Sequence, residues 1–178
     1  MDQGASRRRA VDLWKEGYER HMRAFAFANQ DCDEQARDEL LVAVELYSQS
    51  IEVCPTAEAY TFRGWALRSF GKIDEAIEEC RRAIEVDPDF GNPYNDIGAY
   101  LISRGDLDEA IQWLEKAKSA ARYEPRHYPY MNLGRVYESK GMVLKAVEEF
   151  EQALTLSQDP VSSESIRRSL AKLRTILN

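Results

Sequence analysis

The chain has 178 residues, of which 44% are hydrophobic and 31% charged, and its formal net charge is −7. This composition is too apolar for a disordered chain and too polar for a membrane protein. The acidic balance argues against binding to the phosphates of nucleic acid. The three cysteines and two histidines contain no closely spaced pair, so no disulfide framework, zinc site or other cofactor is expected.

No stretch of the chain has the pattern of a targeting or membrane segment. Three arginines, Arg7, Arg8 and Arg9, lie near the amino terminus, but charged residues follow within a few positions and leave no apolar export signal. No run approaches the roughly 20 apolar residues that a spanning helix needs. The sequence therefore predicts a cytoplasmic protein.

The first part of the chain is expected to form an atypical helix pair over residues 6–56, after a flexible tail at residues 1–5. Apolar residues recur every three or four positions from Ser6 to about Asn29, and again from about Ala36 to Val53. That spacing is the period of an amphipathic helix. The pair is interpreted as a degenerate repeat, because only its second helix matches the repeats that follow.

From residue 57 the sequence repeats itself with a period of 34 and then 36 residues. Each repeat has an aromatic residue or leucine at two positions, two glycines and two alanines. The three sets are Tyr60, Gly64, Leu67, Gly71, Ala76 and Ala83; Tyr94, Gly98, Leu101, Gly105, Ala110 and Ala117; and Tyr130, Gly134, Tyr137, Gly141, Ala146 and Ala153. A period in this range is the signature of stacked helix pairs, here over residues 57–90, 91–126 and 127–160.

The ends of the predicted helices carry recognisable signals. Gly71, Gly105 and Gly141 each follow a first helix, where a left-handed backbone conformation is favourable for glycine. Asp106 and Glu109 have the spacing of a capping box at the start of the sixth helix. These signals divide each repeat into two antiparallel helices.

The longer last interval and the carboxyl terminus complete the pattern. The two additional residues lie between Ala117 and Tyr130, which predicts a slightly longer sixth helix and a remodelled connection. A capping helix is expected over residues 161–178, begun by Ser162 or Ser163. Its apolar face would contain Ile166, Leu170, Leu173 and Leu177. The count is nine helices.

The repeats resemble tetratricopeptide repeats, in which Trp-x2-Leu-Gly-x2-Tyr is followed by Ala-x3-Phe, Ala and Pro. Tyr60, Tyr94 and Tyr130 stand at the tryptophan position, and the glycine is present in all three repeats, whereas Arg63 departs from the leucine. The resemblance covers about residues 36–160. It implies an all-α fold, a right-handed α-solenoid of antiparallel helix pairs.

Members of this family usually hold peptides in a concave groove lined by the first helix of each repeat. The positions that this resemblance implies for the groove are Glu58, Thr61, Trp65, Arg68, Asn92, Asn95, Ile102, Tyr128, Met131, Asn132 and Arg135. Trp65 either anchors a side chain of the partner or packs against Phe25 or Phe27. Asn95 and Asn132 either hold a peptide backbone or bond their own helix neighbours.

Some members of the family grip the carboxylate tail of heat-shock chaperones with a clamp of lysine, asparagine and arginine. The corresponding positions are occupied by Thr61, Trp65, Asp96, Tyr128 and Asn132. Binding of a chaperone tail in that way is therefore not expected.

The resemblance implies a non-catalytic adaptor or scaffold that binds a protein or peptide in its groove. Acidic pairs such as Asp74 with Glu75 recur with the repeat, as solvent-facing charges do and a catalytic pair does not. The alternative is a structural protein that self-associates as a homo-oligomer through its terminal helices or its convex face.

Overall fold

The computed structural model describes residues 3–177, and within that range the chain forms nine α-helices and no strand. The helices are α1 (Gln3–Ala28), α2 (Asp33–Val53), α3 (Ala57–Ser69), α4 (Ile73–Val86), α5 (Asn92–Arg104), α6 (Leu107–Ser119), α7 (His127–Ser139), α8 (Val143–Leu156) and α9 (Pro160–Leu177). Each odd-numbered helix from α1 to α7 packs against the helix that follows it, and α9 packs on α8. The predicted all-α fold is confirmed.

The chain divides into two compact units. Unit 1 ends at Pro88 and contains α1 to α4, whereas unit 2 begins at Asp89 and contains α5 to α9. Each unit has its own buried apolar residues. Tyr47 and Ala66 belong to the core of unit 1, and Phe150 belongs to the core of unit 2.

The amino-terminal helix is longer than predicted. It begins at Gln3, so residues 3–5, expected to form a flexible tail, are helical; Met1 and Asp2 lie outside the described residues. Helix α2 also begins earlier than Ala36, because Asp33 and Glu34 in its first turn favour the positive end of the helix dipole. The additional length of this first pair therefore lies within its two helices.

Two positions show why glycine is needed where paired helices cross. A Cβ atom on Gly98 would lie 2.6 Å from the Leu114 side chain, and one on Gly134 would lie 2.8 Å from the Phe150 ring. Gly17 meets the Tyr47 ring in the same manner, at 2.7 Å. The first pair therefore packs as the regular repeats do.

The turns within the repeats agree with the prediction from their glycines. Gly71, Gly105 and Gly141 have φ angles of +76°, +92° and +69°, which lie in the left-handed region. The predicted capping box is wrong, however, because the Asp106 side chain makes no capping hydrogen bond and pairs with Arg104 instead. The conformation of each turn glycine depends only on the local backbone and could be predicted. The hydrogen bond of Asp106 could not, because Arg104, two residues away, competes for its carboxylate.

The two additional residues between Ala117 and Tyr130 lie in the connection between α6 and α7 and not in a helix. Helix α6 has 13 residues and ends at Ser119, so the predicted longer sixth helix is wrong. The connection 120–126 is held to the preceding loop of unit 2, because Gly91 N donates to Arg122 O and Arg122 N donates to Asp89 O, both at 2.9 Å. The predicted remodelling of this connection is confirmed.

The last helix begins at Pro160 and is capped by Asp159, not by Ser162 or Ser163. The Asp159 carboxylate accepts hydrogen bonds from Val161 N at 3.2 Å and from Ser162 N at 2.8 Å. Ile166, Leu170 and Leu173 join the core of unit 2, but Leu177 is exposed. The capping helix is therefore shorter in its buried part than the sequence pattern indicated.

Candidate functional site

Trp65, the predicted anchor in unit 1, packs against α1. Its ring centroid lies 4.6 Å from that of His21 and 5.2 Å from that of Phe25. The packing alternative is therefore the one observed, with Phe25 as the contact. Most of this indole is used inside unit 1.

The other predicted residues of unit 1 differ in exposure. Thr61 is buried, and its hydroxyl donates to Ala57 O at 2.7 Å. Glu58 is half-buried in the first turn of α3, whereas Arg68 is exposed in its last turn. Only Arg68 projects into solvent in the way that the prediction required.

Unit 1 also has an apolar cleft that sequence reasoning did not identify. Its volume is about 520 Å³, and it is lined by His21, Ala24, Phe25, Ala28, Asp33, Ala36, Arg37, Leu40, Ser69 and Phe70. His21 is buried beside it, and burial lowers the pKa of His21 to about 4, so the ring is neutral at pH 7. The spacing of Gly17, His21 and Phe25, four residues apart on one face of α1, was the available signal.

In unit 2 the two predicted asparagines bond to each other. Asn132 Nδ2 on α7 donates to Asn95 Oδ1 on α5 at 3.0 Å, and both side chains are buried, 7% and 8% exposed. The sequence did not predict this bond, although each asparagine also bonds a neighbour on its own helix, Asp96 or Arg135, as the second alternative expected. It joins the first helices of two successive repeats.

The amide pair is the centre of a longer hydrogen-bonded chain. Arg135 Nη1 donates to Asn132 Oδ1 at 3.4 Å, and Asn95 Nδ2 donates to Asp96 Oδ1 at 3.4 Å. We call Asp96, Asn95, Asn132 and Arg135 the polar relay. It has an exposed guanidinium at its α7 end and a carboxylate at its α5 end.

Asp96 is the one residue of the polar relay that was not among the groove positions predicted from the sequence. Its side chain is half-buried, and desolvation raises the pKa of its carboxyl to about 7 despite the hydrogen bond from Asn95. Within residues 3–177 no basic side chain forms an ion pair with it. Burial raises the pKa of the Tyr123 phenol, and the charge of Asp96 raises it further.

The predicted apolar contacts of unit 2 are mostly packed. Met131 is buried in a core cluster with Phe150 and Ile166, so little of it remains for a partner. The Tyr128 ring is half-buried, with its centroid 4.3 Å from that of His127. Asn92 and Ile102 are half-buried at the two ends of α5.

Neither a membrane span nor a metal centre is found in the part of the chain that the structure describes. No helix there is both long and apolar enough to cross a bilayer. No group of three histidine, cysteine, aspartate or glutamate side chains in the same range could hold a metal ion.

Family models of the tetratricopeptide repeat match residues 57–90 and 89–159, which together are more than half of the chain. The chain belongs to the tetratricopeptide repeat family. The matched region begins at residue 57, where the first regular repeat was predicted to begin. It ends at residue 159, one residue before the predicted end of the third repeat. Tetratricopeptide repeats are protein-binding modules, and this chain is one of that general kind.

Curated relatives match part of the chain. Small glutamine-rich tetratricopeptide repeat-containing protein 2 of Mycosarcoma maydis is 35% identical over 75 residues, 42% of this chain and 21% of that protein. A protein SGT1 homolog of Oryza sativa subsp. japonica is 37% identical over 90 residues, 50% of this chain and 24% of that protein. The chain thus matches about a quarter or less of the length of these relatives.

Solved structures of other repeat proteins have a similar fold. A structure of pilF from Pseudomonas aeruginosa has a TM-score of 0.67 and 23% identity, with 91% of this chain and 69% of that chain covered. MamA has a TM-score of 0.59 and 20% identity, with 80% and 88% covered. The predicted array of antiparallel tetratricopeptide helix pairs is confirmed by this likeness.

Proposed function

We propose that this chain is a non-catalytic, cytoplasmic adaptor or scaffold that binds a partner protein or peptide through α5 and α7 of unit 2. We call this surface the relay face: the polar relay with Asn92, Ile102 and Tyr128 beside it. The observation that carries the proposal is the Asn132–Asn95 hydrogen bond at 3.0 Å, because it fixes two amides between successive repeats.

The amide pair retains hydrogen-bonding capacity for a peptide backbone. Each asparagine amide has two N–H donors and an oxygen with two lone pairs, and the mutual bond uses one donor and one acceptor. The bonds from Arg135 and to Asp96 use further sites, but they are long, at 3.4 Å. An extended segment could replace these weak bonds with shorter ones to its own N–H and C=O groups.

The relay face is also already ordered before a partner binds. Both amides lie on helices and hold each other in position, so ordering them on binding costs little conformational entropy. By contrast, Thr61 and Trp65 of unit 1 are engaged within that unit. We therefore place the principal contacts in unit 2, and we retain Glu58 and Arg68 as possible contacts of unit 1.

A chaperone-tail clamp and an enzyme are both poor alternatives. Asp96 stands where that clamp requires a neutral asparagine, and its carboxylate would repel the carboxylate of a tail. The two histidines, His21 and His127, are each buried in a different unit. The contacts of these two rings do not support a catalytic arrangement of histidine, aspartate and a nucleophile in either unit.

The proposal is tested by removing both relay amides. Proteins that bind the wild-type chain are purified, and their affinity is measured by calorimetry for Asn95→Ala/Asn132→Ala and for the control Gln112→Ala/Gln152→Ala. The control deletes two exposed amides from α6 and α8. Loss of binding in the first variant alone, with both proteins folded by circular dichroism, supports the proposal. Equal affinity in both variants contradicts it.

Self-association is the alternative function. Helix α9 leaves Val161 79% and Ile176 60% exposed, and such apolar side chains are available to a second copy. This alternative requires a concentration-dependent oligomer, which sedimentation velocity detects. An oligomer abolished by Val161→Asp/Ile176→Asp would favour it, whereas a monomer at all concentrations would exclude it.

A further inference from the structure

The two ends of the polar relay differ in how their charges are satisfied. At the α7 end, the Arg135 guanidinium is exposed to water and donates to Asn132. At the α5 end, the Asp96 carboxylate is half-buried and accepts one long hydrogen bond, from the neighbouring Asn95 amide. Within the described residues it has no cationic partner. The α5 end of the relay is therefore a carboxyl group that lacks a compensating cation in this part of the chain.

This arrangement is unfavourable for the chain alone and favourable for a complex with a cation. A carboxylate that loses water without gaining a cation pays a desolvation cost. An ammonium or guanidinium group placed against it recovers that cost and forms a charge-assisted hydrogen bond. A second carboxylate at the same place would meet repulsion in an environment that screens charge poorly.

The surroundings of Asp96 suit the side chain that would carry such a cation. Tyr123 packs with Tyr94 and Tyr128 around Ala117 and Ala120. Burial, and after it the charge of Asp96, raises the pKa of the Tyr123 phenol, so the carboxylate acts electrostatically on this aromatic group. The methylene stem of a lysine or arginine packs well on aromatic rings while its charged end reaches a carboxylate.

The charge of the whole chain acts in the same direction. A net charge of −7 attracts basic partners over distances longer than a hydrogen bond and repels acidic ones. Long-range attraction does not choose one position in a partner. Asp96 can do so, because it is a single desolvated charge held on a helix.

We propose that the relay face selects partner segments that carry a lysine or arginine, whose cationic group binds the Asp96 carboxylate. This inference rests on the proposed function of the relay face and adds the chemistry of the partner. The Asn95 and Asn132 amides hold the segment by its backbone, and the Asp96 carboxylate pairs with one basic side chain of the segment. At the opposite end, the Arg135 guanidinium donates to a carbonyl or carboxylate oxygen of the partner.

A randomised peptide library displayed on phage tests the inference. Selection is carried out with the wild-type chain, with Asp96→Asn, with Asn95→Ala/Asn132→Ala and with the control Asp12→Asn. Asp12 is exposed on α1 of unit 1, so its variant makes the same change in net charge away from the relay face. We expect lysine or arginine at one position of the peptides selected by the wild-type and Asp12→Asn chains, and no such preference with Asp96→Asn.

One selected peptide is then measured in a double-mutant cycle. Replacing its basic residue by glutamine should weaken binding to the wild-type chain about tenfold or more, and should change binding to Asp96→Asn much less. Peptides without a basic preference, or an unchanged effect in Asp96→Asn, would overturn the inference while leaving the proposed function intact. Failure to select any peptide, or selection that survives Asn95→Ala/Asn132→Ala, would overturn the proposed function itself.

Discussion

Arg63 and Glu79 form a nearly buried ion pair inside the second helix pair of unit 1. Both the Nε and Nη2 atoms of Arg63 lie 2.7 Å from Glu79 Oε2, and the two side chains are 18% and 8% exposed. Arg63 stands at the position where the family signature has leucine. The departure is explained because Glu79 lies opposite and requires a cation, so the pair replaces an apolar contact between α3 and α4.

Restoring the family leucine should therefore destabilise the protein. Arg63→Leu leaves the buried Glu79 carboxylate with only its longer pair to Arg82, and removing the closer, more buried cation costs about 2–4 kcal/mol after allowance for that remaining pair. Urea denaturation followed by circular dichroism measures the loss. The matched control is Arg82→Leu, which removes a half-exposed arginine 3.4 Å from the same glutamate and should cost less than about 1 kcal/mol. Equal losses in the two variants would contradict this explanation.

The periodic features of the sequence were sufficient to predict most of the fold. Helix order and the turn glycines follow from spacing alone, because each depends on residues within about one repeat. Gly105, for example, needs only a left-handed turn between α5 and α6. The predicted helix caps were wrong where another side chain competed. Arg104 pairs with Asp106, and Asp159 caps α9 in place of the predicted serines.

The candidate site was less predictable because it depends on contacts between repeats. Asn95 and Asn132 were both singled out from the sequence, but their mutual bond joins residues 37 positions apart and depends on how α5 and α7 align. The lack of a cation beside Asp96 within residues 3–177 depends on which side chains the fold brings near it. A local sequence pattern does not contain that information. Met131 was expected to contact a partner, but the placement of α8 and α9 buries it.

A methyl group on Gly98 should weaken the packing of α5 against α6. In Gly98→Ala the new Cβ would lie 2.6 Å from Cγ and Cδ2 of Leu114, so the Leu114 side chain or one of the two helices must shift. Overpacking of this kind costs about 1–3 kcal/mol in the free energy of unfolding, measured by urea denaturation. The check is Gly98→Ala/Leu114→Ala. If the clash is the cause, its loss will be smaller than the sum of the two single variants.

Asp96 should make the stability of the chain depend on pH between about 4 and 7. Its pKa is raised from 3.8 to about 7 in the folded state, so the folded chain holds this proton more tightly than the unfolded chain does. The stabilising contribution is full below pH 4 and is lost as pH rises to about 7. Asp96→Asn should match the wild type at pH 4 and exceed its stability by about 1–2 kcal/mol at pH 8, after allowance for partial exposure.

Thermal and urea unfolding of both proteins from pH 4 to pH 8 measures this difference. Asp12→Asn is the control, because it makes the same change in charge at an exposed position of α1. A constant gap between Asp96→Asn and the wild type would mean that Asp96 titrates alike in the folded and unfolded chains, contrary to its desolvated position.

Replacement of Trp65 should separate stability from binding. The indole contacts His21 and Phe25 on α1, so Trp65→Ala removes an aromatic group from unit 1 and should cost about 2–4 kcal/mol. Trp65→Phe keeps an aromatic ring there and should cost roughly half as much. A peptide selected on the relay face should bind both variants with wild-type affinity, measured by fluorescence polarisation at a temperature where each is folded. Weakened binding to Trp65→Ala alone, without unfolding, would instead make the exposed part of the indole a contact for the partner.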